Sequence, residues 1–268
     1  MIKVIVAGAG GKMGGRLLAL AHADPELKVV GAVEAPGHPK VGSDAGEVVG
    51  VGKIGVKVVD NLEKVIGEGD VVVEFTSPQA TLSHLQQVVA HNKAMVIGTT
   101  GYNAEENAKL KSLASKIPCV QTPNMSVAVN VLFKIVAEAA KALGDDYDVE
   151  IIEVHHRFKK DAPSGTADKL AHIVAEALGR NLDQVGVYGR KGIVGERKQT
   201  EIGVHAIRAG DIAGDHTVFF SNLGERIEIR HQAHSRDAFG QGAIRAIKFV
   251  VGKPKGLYDM ADVLGLKK

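Results

Sequence analysis

Two short stretches concentrate side chains suited to moving protons and holding anions. The first runs Glu153-Val154-His155-His156-Arg157-Phe158-Lys159-Lys160-Asp161 and continues Ala162-Pro163-Ser164-Gly165-Thr166-Ala167. A histidine titrates near neutral pH and can give up a proton there, while Lys159 can neutralise a carboxylate or donate a proton of its own. If the preceding strand persists to His156, the two adjacent rings point to opposite faces and serve different ends. Pro163 fixes the approach to a helix and Ser164 is placed to cap it. The N–H groups around Gly165 and Thr166 then form an anion site at its positive end. These groups suit proton transfer to a bound anionic substrate. A capped helix behind a solvated loop would use the same residues, and spacing alone does not separate the two readings.

The second stretch is Gly8-Ala9-Gly10-Gly11-Lys12-Met13-Gly14. It follows an apolar run and opens an amphipathic one, so a strand enters a glycine turn and leaves as a helix. Such a turn lets backbone N–H groups and the helix dipole approach a pyrophosphate without Cβ clashes. Glycine at Met13 would be needed for the commonest G-x-G-x-x-G spacing; Gly8, Gly11 and Gly14 give G-x-x-G-x-x-G instead. Glu34 ends the next apolar run, where a dinucleotide unit places the carboxylate for the adenosine ribose. Close helix packing alone could also ask for these glycines, but the order of strand, loop, helix, strand and acid favours a dinucleotide.

Two more loops follow strand candidates, Gly98-Thr99-Thr100-Gly101 and Thr122-Pro123-Asn124-Met125-Ser126. In open α/β sheets the carboxyl ends of strands form the ligand crevice, so both could reach a nicotinamide; ordinary turn and cap chemistry is the alternative. No metal site is expected, since the adjacent histidines diverge and no other ligand set has suitable spacing. Ser164 lacks the G-x-S-x-G elbow of a hydrolase nucleophile. Cys119, in a short apolar run, reads as a buried, inert thiol.

The elements that must position these groups follow from periodicity. Strand candidates at 3–7, 28–33, 56–59, 71–75, 94–97 and 119–122 alternate with helical stretches, including 78–91 and 104–116, as in a doubly wound parallel sheet. A helix over 127–143 leads into a second region with a strand at 149–155 and a helix at 166–178. Three runs at 200–208, 216–221 and 227–233 follow, with the look of antiparallel strands. A helical pattern from 236 to 251 and a short terminal helix over 256–264 complete the chain. The expected organisation is an N-terminal Rossmann-type domain over 1–126, a second α+β domain with a mixed or antiparallel sheet over 127–235, and a segment over 236–268 packed back on the first.

Composition narrows the partners. Of 268 residues, 45% are apolar and 24% charged, a globular balance, and the formal net charge of +2 gives no broad field. The basic stretch Arg190 to Lys198 is broken by glycines and Glu196 and reads as a solvated loop. With 4 tyrosines, 7 phenylalanines and no tryptophan, the chain is poorly equipped to stack on bases, so nucleic acid is not an expected partner. One cysteine excludes an intrachain disulfide, and no apolar run approaches membrane-spanning length. The expectation is a cytoplasmic protein without membrane contact.

Across nearly its whole length the sequence resembles the 4-hydroxy-tetrahydrodipicolinate reductase (dihydrodipicolinate reductase) family. The glycine loop, Gly42-Ser43-Asp44-Ala45-Gly46, Val96-Ile97-Gly98-Thr99-Thr100-Gly101 and Asn124-Met125-Ser126-Val127 resemble its dinucleotide domain. Glu153 to Arg157 and Lys159 to Ala167 resemble its substrate signature. The resemblance implies NAD(P)H-dependent reduction of a small cyclic dicarboxylate imine on the diaminopimelate route to lysine, by a homotetramer assembled through the second domain. By similarity His155 is the general acid/base and Lys159 the accompanying proton donor. His156, Ser164, Gly165 and Thr166 hold substrate, with Thr100 near both ligands. Gly8, Ala9, Gly10, Gly11, Lys12, Met13, Glu34, Gly98, Thr99, Thr100, Thr122, Pro123, Asn124 and Met125 resemble the cofactor site. Phe158 departs from the basic or polar residue that many relatives carry there.

Glu34 can accept from a ribose diol, and its charge disfavours a nearby 2′-phosphate, so NADH is expected to serve at least as well as NADPH. Ala35 stands where relatives that use NADPH readily often carry arginine; Lys12, His38 or Lys40 could replace that partner. Two other functions compete. A semialdehyde dehydrogenase acting through a thioester would need a reactive Cys119, and a non-catalytic dinucleotide sensor would need the glycine loop but not His155 or Lys159.

Overall fold

The computed structural model describes residues 1–267. In chain order the first elements are β1 (Ile2–Ala7), α1 (Lys12–Ala23), β2 (Leu27–Val33), α2 (Ala45–Val49), β3 (Val58–Val59), β4 (Val71–Glu74), α3 (Pro78–Ala90), β5 (Ala94–Ile97), α4 (Ala104–Ala114) and β6 (Pro118–Gln121). Next come α5 (Val127–Leu143), β7 (Asp148–His155), α6 (Gly165–Ala177), α7 (Leu182–Val185), β8 (Gly186–Val187), β9 (Ile202–Arg208), β10 (Gly214–Asn222) and β11 (Glu225–Ala233). The chain closes with α8 (Asp237–Val250), β12 (Gly256–Tyr258) and α9 (Met260–Val263). Two compact units result, one of Met1–Val127 with the segment from Phe239 onward, the other of Ala128–Ala238.

The first unit is a parallel sheet in the order β12-β6-β5-β4-β1-β2-β3. The order reverses between β4 and β1, the topological switch point of a doubly wound sheet. Its strands are apolar on both faces because both faces are covered. Val4 and Val6 of β1 join one core with Leu17, Leu18, Ala243 and Ile247, while Ile5 and Ala7 join the opposite core with Leu85, Leu110 and Cys119. Helix α8 lies close to its neighbours through two glycines: a Cβ at Gly240 would meet Leu20 Cδ1 at 2.4 Å, and one at Gly242 would meet the Met125 carbonyl at 1.7 Å. The C-terminal segment differs from the expected single helix, since Gly256–Tyr258 add an edge strand parallel to β6 before Asp259 caps α9. The backbone groups of the sheet edge outcompete three residues of weak helical pattern.

In the second unit the sheet order is β11-β10-β7-β9-β8. Its inward face meets α5 and α6 in a core of Val149, Ile151, Val204, Val218 and Phe220 against Leu132, Val136, Leu170 and Val174. The expected antiparallel set is half correct. Strands β10 and β11 form an antiparallel hairpin, but β9 runs parallel to β7. A connection from β7 through α6 is long enough to return the chain to the same end of the sheet, and periodicity carries no information about that choice. The basic stretch 190–198 is not simply solvated, because Arg190 and Arg197 fold back onto Glu150, Glu201 and Asp148. Burial would push the Glu150 carboxyl up, but Arg190, His205 and Arg197 together hold it down at about 2.

Candidate active site

The glycine loop opens at Gly8, whose φ of 74° belongs to the region that favours glycine. Gly14 serves contact instead of conformation, since a Cβ there would stand 1.9 Å from the Gly8 carbonyl oxygen. The α1 N-cap is Gly11, which offers no side-chain acceptor, so the opening N–H groups of the helix have no cap hydrogen bond. Glu34 reaches across from β2: one carboxylate oxygen accepts from Gly10 N–H at 2.7 Å and the other from Ala35 N–H at 2.8 Å. Lys40 Nζ donates to the Gly10 carbonyl at 3.3 Å, and a Cβ at Gly10 would lie 2.6 Å from His38 Cε1. The turn after β2 therefore folds directly over the glycine loop.

Beside that loop is a cavity of about 580 Å³ whose wall includes Gly8, Glu34, Ala35, Leu62, Thr76 and His84. A side-chain-free cradle, uncapped helix N–H groups, a carboxylate at the end of β2 and a cavity at the switch point together fit a dinucleotide. Thr76 and His84 escaped the sequence reading. Both bind Glu74, a fully buried carboxylate at the end of β4: the Thr76 hydroxyl donates to it and His84 Nδ1 lies 2.6 Å away. The charge that closes an otherwise all-valine strand was the available signal.

Gly98–Thr100 and Thr122–Met125 stand at the ends of β5 and β6, outside that cavity wall. Thr99 is turned inward, its Oγ1 accepting from Thr76 N–H at 3.0 Å and paired with Thr81 at 2.9 Å, whereas Thr100 is exposed. Asn124 Oδ1 accepts from Ser126 N–H at 2.9 Å, and the Met125 side chain lies in the core. Lys12 and Pro123 are exposed, Met13 is half-buried and Ala9 is fully buried.

In the second unit the inward face of the sheet changes from apolar to polar at one end. Alternation along β7 puts Val149, Ile151, Glu153 and His155 on that face, and β10 and β11 add His216 and His231 opposite each other. His155 is the last residue of β7, so His156 already belongs to the following loop. Glu153 is fully buried and accepts from four donors: His155 Nδ1 at 2.5 Å, both terminal nitrogens of Arg208 at 2.8 Å, and Ser164 N–H at 3.0 Å. Burial would push its carboxyl up, but Arg208, His155 and the Ser164 N–H hold it below the ordinary range. His155 is pushed down mainly by burial and further by Lys159 and Arg208, against the upward pull of Glu153.

Ser164 caps α6 by accepting from Ala167 N–H at 3.2 Å, and its hydroxyl also lies 3.1 Å from His216 Nε2. Burial pushes His216 down to about 3, which keeps the ring neutral. Gly165 and Thr166 form the opening turn of α6. Lys159 pairs with Asp161 at 2.9 Å, and the exposed Phe158 ring stands 6.2 Å from that of His156. The structure thus gathers His155, Ser164 and the start of α6 around Glu153, a residue that sequence reasoning quoted without a role. Arg208 and His216 were missed because their strands meet β7 only through long-range pairing.

Among the described residues no group of three or more His, Cys, Asp or Glu is placed to hold a metal ion, and no helix is long and apolar enough to cross a membrane. Cys119 is fully buried, and burial pushes its thiol far up, the opposite of what a thioester-forming cysteine requires.

Family models described as dihydrodipicolinate reductase, N-terminus and C-terminus, match residues 2–125 and 128–264. The 4-hydroxy-tetrahydrodipicolinate reductase of Syntrophus aciditrophicus is 54% identical over 100% of both chains; that of Desulfotalea psychrophila is 54% identical over 100% of this chain and 99% of its own. The solved dipicolinate-bound dihydrodipicolinate reductase of Paenisporosarcina sp. TG-14 superposes with a TM-score of 0.76 at 27% identity, covering 98% of each chain. With both family halves matched in order and relatives of equal length at this identity, the chain belongs to the dihydrodipicolinate reductase family.

Proposed function

We propose that the chain reduces 4-hydroxy-tetrahydrodipicolinate to tetrahydrodipicolinate, the reductase step of the diaminopimelate route to lysine. The observation that carries this reading is His155, held through Nδ1 by a buried carboxylate beside the capped start of α6. When bound, NADH or NADPH supplies a hydride. Gly8 to Met13 and Glu34 would hold its pyrophosphate and ribose, and the loops 98–100 and 122–125 are the candidates to contact its nicotinamide. The substrate hydroxyl leaves with an adjacent ring proton as water, and His155 would then give the proton that quenches the electron density left by hydride addition. Lys159, released from Asp161, would supply positive charge to a substrate carboxylate, and the Gly165 and Thr166 N–H groups, with His156 and Ser164, would hold the remainder. NADH labelled with deuterium at the transferred position tests this: the product should gain one deuterium. Binding of the cofactor without transfer would favour the dinucleotide sensor.

NADH serves at least as well as NADPH on this reading. Glu34 would accept from the ribose hydroxyls, and Ala35 offers no phosphate partner. Lys40, already seated on the Gly10 carbonyl, is the cation best placed to accept a 2′-phosphate. Assembly is a homotetramer through the second unit, whose sheet has helices on one face only and leaves Ile207 and Ile227 about half exposed. A reducing cytoplasm suits a chain whose one thiol is buried and inert.

A further inference from the structure

Glu153 and His155 are two residues apart on one strand and share its inward face. A buried carboxylate persists only when its charge is met, and here the four donors match its roughly four lone-pair sites. An ionised, saturated carboxylate can only accept. The proton of the 2.5 Å contact therefore sits on His155 Nδ1, which leaves Nε2 as the nitrogen that exchanges protons. Gly214 keeps the space beside that nitrogen open, because a Cβ there would lie 2.9 Å from Nε2.

We propose that Glu153 is a positioning residue for the acid: it selects Nε2 of His155 as the proton-donating atom, while Arg208 limits how strongly its charge supports the imidazolium. This rests on the reading of His155 as proton donor. Glu153 raises the ring's hold on its proton against the effect of burial, and Arg208 pulls the other way. Arg208 holds the same carboxylate in a bidentate pair, and it also donates to the Asp161 carbonyl of the loop carrying Lys159. The charged and titratable groups around the ring are Glu153 on its own strand, Arg208 from β9, Lys159 with its partner Asp161 from the following loop, and His216 from β10 with His231 behind it. The Ser164 N–H ties the same carboxylate to the first turn of α6. One buried group therefore sets the ring's tautomer and its distance from the anion site.

The two ends of the clamp make opposite predictions. A proton donor works below its pKa, so kcat falls as pH rises through that value. Glu153→Gln removes the supporting charge and lets the amide donate to Nδ1. The high-pH limb of kcat should move down by about one unit or more, and kcat at neutral pH should fall by about 10²-fold, with NADH Kd unchanged. Arg208→Gln should move the same limb up. In the wild type, nitrogen NMR of the neutral ring should show the proton on Nδ1, a readout that survives even if a variant fails to fold. An Nε2–H tautomer in the wild type, or a limb in a folded Glu153→Gln protein that stays at the wild-type pH, would overturn the proposal. A wild type that binds NADH and transfers no hydride would instead remove the reductase reading while leaving the tautomer result standing.

Discussion

Among single residues, the proposed mechanism divides the labour between His155, which gives a proton, and Lys159, which supplies charge. Replacing His155 by alanine would remove the proposed proton donor and leave the glycine loop and Glu34 as they are. Turnover should drop by about 10²–10⁴-fold while NADH binds as before. Steady-state kinetics with a fluorescence titration of NADH checks this, and equal weakening of cofactor binding would contradict it. Lys159→Ala should raise KM and lower kcat together, because a charge that holds a carboxylate also stabilises the reacting anion; wild-type kinetics would return Lys159 to its ion pair with Asp161. Both stand out in the sequence as candidates because they lie in one dense stretch of titratable residues, and their roles come from the family resemblance. Glu153, Arg208 and His216 gained roles only from strands far apart in sequence. A buried carboxylate in an alternating strand announces a partner without saying which one.

At the scale of elements, local pattern carried the first unit further than the second. The strand, glycine turn, helix, strand and terminal acid of β1 to β2 are contiguous, so their geometry follows from about thirty residues. The direction of β9 and the strand at 256–258 depend on which edges are free, and the sequence is silent on that. Gly14→Ala tests the contact between loop and helix: its Cβ would meet the Gly8 carbonyl at 1.9 Å, so α1 must shift. Stability should fall by about 1–3 kcal/mol and NADH affinity should fall with it, read from urea midpoints and titration; unchanged affinity would show that the close approach serves packing alone.

The inward polar end of the second sheet predicts a pH dependence. His216 is displaced from 6.5 to about 3 by burial, and His155 and His231 are displaced in the same direction. The unfolded chain binds these protons more readily. Stability is therefore full above pH 6.5 and declines below it, by up to about 1.4 kcal/mol per unit for one group. Glu153, whose value is lowered, adds its own loss only below the ordinary carboxylate range. Urea midpoints between pH 7 and 4 should slope in the wild type and flatten in His216→Gln, and equal slopes would contradict the assignment.

At the scale of the whole molecule, the sequence pattern supplied two units and family membership supplied what they do together. Sedimentation at micromolar concentration should give a tetramer; a monomer would show that the open face of the second sheet has another cover. Ala35→Arg should raise kcat/KM for NADPH selectively, and Lys40→Ala should lower it, at fixed salt because screening weakens phosphate contacts. The most direct test of the central claim is to generate the unstable substrate from pyruvate and aspartate semialdehyde and follow nicotinamide absorbance with each cofactor. Rapid oxidation of the reduced nicotinamide is expected, with NADH at least matching NADPH. No oxidation of either cofactor would contradict the reductase function itself, and a preference of about tenfold or more for NADPH would contradict the role given to Glu34.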